Sequence, residues 1–196
     1  SDDAACPCVK RLSQMAWRSW QSSHPERQRR ERQATSWIEF TRRTIADDDA
    51  TTLPSLTGLT QGILRLEPHK QLPVHHHPAP FSETYYFLRG NGVVRLGREP
   101  LGAAFLSERP RLTADEAQEL EERSCRLVPI EPGLHVDVAH STLHGMEAGD
   151  EGCEFIWTFA AARWCEVPYL YLDSNLPDRN VVAPQPPPAA TESGGT

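Results

Sequence analysis

The run His75-His76-His77 stands just ahead of a strand-like segment that opens with Glu83, and imidazole and carboxylate are donors that a divalent first-row transition ion accepts. Successive side chains of an extended strand alternate faces, so His75 and His77 point one way and His76 the other. If the strand starting at Glu83 lies beside them, one carboxylate joins two imidazoles. A purification tag or chance would also give three histidines in a row, and the rest of the chain has to decide. On the Glu83 strand, Tyr85 and Phe87 share the face of Glu83, while Tyr86 and Leu88 face away. Tyr85 is a candidate catalytic acid or base, or a substrate donor, against the plainer role of a wall aromatic. Arg65 and Arg95 could each clamp a substrate carboxylate through the guanidinium fork or simply face solvent; strand parity leaves both open. Trp157 and Phe159 share one face of "EFIWTF" and read as core.

Short strand-like runs separated by Pro and Gly have to position these groups: "GILRLEP", "LPVHHHP", "TYYFLRGNG", "VVRLG", "RLVPIEPG", "HVDVA" and "EFIWTF". Such spacing indicates an all-β sandwich or barrel. Gly90-Asn91-Gly92 reads as a tight turn that sends the chain back antiparallel. Thr113 to Ser124, "TADEAQELEERS", opens with a Thr-x-x-Glu capping box and reads as a helical insertion. Upstream, residues 11–50 are rich in helix formers, and Pro25 begins a new segment within them. We expect two short helices there, with Trp17, Trp20, Trp37, Ile38, Phe40 and Ile45 resting on a larger body. The expected organisation is a flexible N-terminus at 1–10, a helical appendage at 11–50, a β-barrel domain at 58–181 and a disordered Pro-rich tail at 182–196.

A chain of 196 residues, 38% hydrophobic, suits one globular core with appendages. No stretch approaches the roughly 20 apolar residues of a membrane helix, and no signal-like segment opens the chain, so a soluble protein without membrane contact is expected. Five scattered cysteines without a CxxC pair indicate neither a disulfide framework nor a thiolate zinc site; free thiols in a reducing, cytoplasmic setting fit them. The net charge of −7 argues against nucleic acid as partner. It is unevenly spread: Lys10 to Arg43 holds nine Lys/Arg against three Asp/Glu, a local +6 that leaves −13 elsewhere.

The segment from His69 to Gly90 resembles the first motif of the cupin superfamily, in which a glycine, five residues, His-x-His, a short gap, Glu, six residues and Gly belong to a small jelly-roll barrel. Glu83 and Gly90 have the family's separation, and Pro78 follows His77 as proline often does. The gap from His77 to Glu83 is longer than usual, and His69 stands where the first glycine would. "LVPIEPGLHVDVAHSTLHGMEAGDEGCEFIWTF" resembles the second motif, with Gly133 at the strand turn and His144 at the ligand position. Ala139-His140-Ser141 replaces the usual Pro-x-Gly, which makes His140 a candidate catalytic base or alternative ligand; His135 is expected to be exposed. The resemblance covers about residues 62–171 and implies an all-β jelly-roll barrel, with the N-terminal helices and the insertion attached, whose metal ligands are His75, His77, Glu83 and His144.

A site of that composition leaves positions on an octahedral ion open, as a catalytic metal requires. The expectation is a metal-dependent single-cupin enzyme acting on a small organic molecule, anionic or oxygen-bearing. Iron(II) is the favoured cofactor, with Zn, Ni or Mn as alternatives, and dioxygenase chemistry stands slightly ahead of lyase, isomerase or decarboxylase chemistry. Two other readings are a non-catalytic ligand-binding or sensing cupin, and a metal-free cyclase or epimerase using His140 and Tyr85. The family implies a homodimer. The insertion between Arg98 and Cys125 reads as a lid over the barrel mouth or a surface elaboration.

Overall fold

Apolar residues alternating with polar ones turn about half of the described residues into strands. The structure, a computed structural model, describes residues 58–161, 166–179 and 181, together with the backbone at 36–39, 43–44 and 52–53. The strands are β1 (Ser36–Glu39), β2 (Arg43–Thr44), β3 (Thr52–Leu53), β4 (Thr60–Leu66), β5 (Gln71–His76), β6 (Glu83–Gly97), β7 (Cys125–Ile130), β8 (His135–Val138), β9 (His144–Phe159) and β10 (Leu170–Tyr171). Helices at Ala103–Glu108 and Ala114–Ser124 fill the connection from β6 to β7. No helix among the described residues is long and apolar enough to cross a membrane.

The main sheet runs β1-β4-β9-β5-β10, and β6 pairs with β7, β8 and β9. All of these pairings are antiparallel, and strands distant in sequence lie side by side, as in a jelly roll. Two long strands close it. β9 pairs with β4 from Thr60↔Phe159 to Leu66↔Cys153, with β5 at His75↔His144, and with β6 from Glu83↔Phe159 to Leu96↔His144. The result is the cupin-type jelly-roll barrel that the motifs implied. Its interior is packed with Tyr85, Phe87, Val94, Met146, Phe155 and Phe159, all nearly or fully buried.

Gly90-Asn91-Gly92 does not reverse the chain. β6 continues through it, and "VVRLG" is the second half of the same strand. Both glycines have positive φ, +92° and +143°, and the backbone of β9 comes so close that a Cβ on Gly90 would stand 2.1 Å from the Gly152 carbonyl oxygen. The register shifts at this point, so the pair forms a bulge that bends the strand.

The expected helical appendage is also corrected where the structure describes it. Ser36–Glu39 is extended and pairs with β4 from Ser36↔Arg65 to Glu39↔Gly62, and Arg43–Thr44 pairs with Thr52–Leu53. "SWIE" carries an aromatic and a β-branched residue, and the edge of β4 offers unpaired backbone groups that outweigh helix propensity. Trp17, Trp20 and the tail at 182–196 lie outside the described residues.

The capping box is formed: Glu116 N–H donates to Thr113 Oγ1 at 3.3 Å, and Thr113 N–H donates to Glu116 Oε2 at 2.8 Å. The helix it starts packs Ala117 into an apolar cluster with Val74, Leu143, Cys125 and Leu172. The insertion therefore covers the side of β5 to which Val74 points.

Candidate metal centre

The register of three strands builds this site. β5 presents His75, His77 follows directly after its end, β6 begins with Glu83 and β9 begins with His144, which is paired with His75 on one side and Leu96 on the other. The ligand atoms of these four residues all lie within 4.8 Å of one another. His75 and His144 are fully buried, His77 is 1% exposed and Glu83 4%.

Each ring is oriented by one hydrogen bond to the backbone. Nδ1 of His75 meets the Pro73 carbonyl at 2.8 Å, Nδ1 of His77 that of Pro168 at 2.7 Å, and Nδ1 of His144 that of Thr142 at 2.8 Å. A carbonyl only accepts, so each Nδ1 carries the proton and each neutral ring turns an Nε2 lone pair inward. Nε2 of His77 and of His144 both stand 3.2 Å from Glu83 Oε2, and Nε2 of His75 and of His144 have no hydrogen-bond partner among the described residues. The Tyr85 hydroxyl donates to the same Oε2 at 2.6 Å.

Electrostatics follow from burial. Desolvation first, then the neighbouring His144 and His77 rings, hold His75 well below the ordinary imidazole range; desolvation also lowers His77, against the hydrogen bond to Glu83. Burial would push the Glu83 carboxyl up; protons on the Nε2 atoms of His144 and His77 would turn the net direction down, and where those atoms are lone pairs a cation takes that part. Burial, then the Glu83 charge, raises Tyr85 well above the usual phenol range, so it stays a proton donor. Neutral lone pairs and a carboxylate converging in one dry space leave a deficit of positive charge. A divalent cation fits that donor set, and the orphaned Nε2 atoms of His75 and His144 are the ones that lack any other partner.

Aromatic side chains line the site. Tyr169 stacks on His75 with centroids 4.8 Å apart and meets His77 edge-on at 4.5 Å, while Phe159 meets His77 edge-on at 5.0 Å. The sequence reading did not assign a role to Tyr169 or Tyr171, although their i, i+2 spacing in "YLYLD" was a sign that they share a face. Tyr171 lies 5.6 Å from His75, directly across from it in the β5–β10 register.

Other candidates are placed elsewhere. His140 is exposed, with Nδ1 3.4 Å from Ser141 Oγ, and is not among the residues that cluster as ligands. His135 is exposed, as expected. Arg65 donates through Nε and Nη2 to Glu154 at 2.9 and 2.7 Å across the β4–β9 pair, and Arg95 is 3.7 Å from Glu147; each faces a protein carboxylate. Trp157 and Phe159 are core, as read. Tyr86 and Leu88 are exposed, which fixes the parity of β6 as expected. At two positions where the cupin motifs usually have glycine, His69 and Ser141 adopt φ of 60° and 61°. Both lie in the left-handed region that glycine adopts more readily.

No protein-family model matches the sequence, and no curated protein matches it. Similar solved structures include an oxalate decarboxylase variant from Bacillus subtilis (15% identity, TM-score 0.45, 76% of this chain and 28% of that chain). They also include the DMSP lyase DddQ from Ruegeria pomeroyi (16%, 0.35, 52% and 37%) and an 11S globulin from Wrightia tinctoria (13%, 0.39, 54% and 21%). The chain spans under a third of the length of the oxalate decarboxylase. Likeness at this level says nothing of activity; the fold stands on the strand order and register described above.

Proposed function

We propose that this protein is a metal-dependent cupin enzyme acting on a small organic molecule that is anionic or oxygen-bearing. The observation that carries the proposal is the common orientation of His75, His77 and His144: three backbone carbonyls fix the Nδ1 protons, so three Nε2 lone pairs converge beside Glu83. These four residues would hold one divalent transition ion. Such an ion supplies Lewis-acid polarisation of a carbonyl or carboxylate or, as iron(II), dioxygen chemistry.

The protein's own groups set the conditions for that chemistry. Tyr85 holds a phenolic proton against Glu83 and so fixes the carboxylate and reserves a proton beside it. Tyr169 and Phe159 hold the rings edge and face and keep bulk water from them. Iron(II) and an oxygenase reaction are our first choice, with elimination, isomerisation or decarboxylation on zinc, nickel or manganese next. The near-complete burial of all four candidate ligands favours one other reading, in which an ion is held for structure or sensing and turns over no substrate.

Elemental analysis of wild type and His77→Ala by inductively coupled plasma mass spectrometry is the test. About one equivalent of metal in the wild type and almost none in the variant is expected. Iron directs the search to oxygen consumption with small acids, thiols and phenols; the other metals direct it to lyase and isomerase screens. Protein that takes up no metal on reconstitution, or that turns over substrate without it, overturns the proposal.

A further inference from the structure

The wall formed by β5 and β10 has two faces. Its register pairs His75 with Tyr171 and His76 with Leu170, and directly opposed residues of an antiparallel pair share a face. His75 and Tyr171 look into the metal centre, so His76 and Leu170 look outward. On that outer side, beneath the insertion, is a cavity of about 410 Å³. Pro78, Phe105, Leu106 and Leu170 give it apolar walls, and His76 and Arg109 stand among them. Its volume is in the range of small-molecule sites.

Two polar features of this cavity lack a protein partner. His76 lines the cavity and is only 6% exposed, and its Nδ1, closed off from solvent, has no hydrogen-bond partner among the described residues, which leaves the ring free to turn a donor toward the cavity. The charge is also unbalanced. Arg111 and Asp178 neutralise each other at 2.9 Å, and Arg111 further donates to the carbonyls of Tyr171 and Leu176, which ties it into the wall. Arg109, by contrast, is paired with no carboxylate among the described residues, so the cavity keeps one excess positive charge.

We propose that this cavity binds a small monocarboxylate with an apolar body, its carboxylate held by the Arg109 guanidinium and the His76 imidazole and its body packed on Phe105 and Leu106. One negative charge matches the one uncompensated arginine, and a fork of N–H donors suits a carboxylate. The apolar walls set a preference for an organic acid over a bare inorganic anion. The site is on the opposite side of β5 from the metal ligands and does not depend on the metal.

Isothermal titration calorimetry of the full chain with phenylacetate tests this, with 2-phenylethanol as the uncharged counterpart and inorganic phosphate as the bare anion. Phenylacetate should bind wild type and His77→Ala alike, and at least tenfold more weakly to Arg109→Gln. 2-Phenylethanol and phosphate should each bind at least tenfold more weakly than phenylacetate. Leu106→Trp, which fills the cavity, should abolish binding; if it does not fold, Arg109→Gln, at an exposed position, still decides. Absence of phenylacetate binding by wild type, or binding unchanged in Arg109→Gln, overturns the proposal. Binding lost in His77→Ala but kept in Arg109→Gln places the acid on the metal instead and overturns it too.

Discussion

Glu83 Oε2 is where the site converges: it accepts from the Tyr85 hydroxyl at 2.6 Å, and Nε2 of His77 and of His144 each stand 3.2 Å from it. Tyr85→Phe keeps the ring that packs against Phe155 and removes only the donor. Partners that orient a metal ligand typically contribute about 10–100-fold to metal affinity, so a loss of that size is expected in chelator-competition titrations. The same change leaves a buried carboxylate short of a hydrogen bond and is expected to cost about 1–3 kcal/mol in urea denaturation. Retention of wild-type metal affinity would make Tyr85 a wall aromatic and nothing more. The histidine pair and Glu83 were legible from residue type and strand parity, since alternation is a property of any extended chain. The donors that aim the rings were not, because the carbonyls of Pro73, Thr142 and Pro168 carry no side-chain signature and the last lies 91 positions from its histidine.

Strand pairing carries these residues to one point, and the close approach nearest to the ligands is at Gly145, next to His144. A Cβ there would stand 2.7 Å from the Leu72 carbonyl oxygen and 2.9 Å from the backbone of Val74, neither of which is free to swing aside. Gly145→Ala must push β9 away from β5, so a loss of roughly 1–3 kcal/mol is expected, with weaker metal retention, read by thermal melting and metal content together. The insertion makes a milder case. Thr113→Ala removes the capping-box hydroxyl of its longer helix, and a cost of about 1 kcal/mol is expected in chemical denaturation with metal content unchanged. The capping box was visible in four letters because a cap is a local contact. The continuity of β6 through Gly90 to Gly92 was not: the same glycines serve a hairpin or a bulge, and the approach of Gly152 from β9 decides between them. β1 is the parallel lesson, since its helix-forming surroundings yield to the open edge of β4.

For the molecule as a whole, stability should depend on pH through the contact between insertion and barrel. Burial, with Asp173 and Glu122 nearby and Arg95 opposing, pushes Glu121 up to about 7. A carboxyl whose folded value lies above its unfolded one favours the folded state most below the unfolded value, near 4.5, and that contribution is lost as pH rises through 7. Wild type should therefore lose on the order of 1–3 kcal/mol between pH 5 and 8 relative to Glu121→Gln, measured as the difference in urea midpoints across that range. Equal pH profiles would mean that water reaches this carboxyl freely. At this scale the amino-acid sequence by itself determined the all-β class, the alternation of strand faces, the capped insertion and three candidate ligands, His75, His77 and Glu83, because periodicity, caps and donor types are written in neighbouring residues; His144 was added by the resemblance to the second cupin motif. Only the tertiary structure decided that His140 stays outside the cluster, that Tyr169 packs on the rings, and that His76 faces a second cavity behind the metal centre. Those outcomes depend on register between strands tens of residues apart, where the packing of the whole barrel, and not any local preference, fixes which side chains meet.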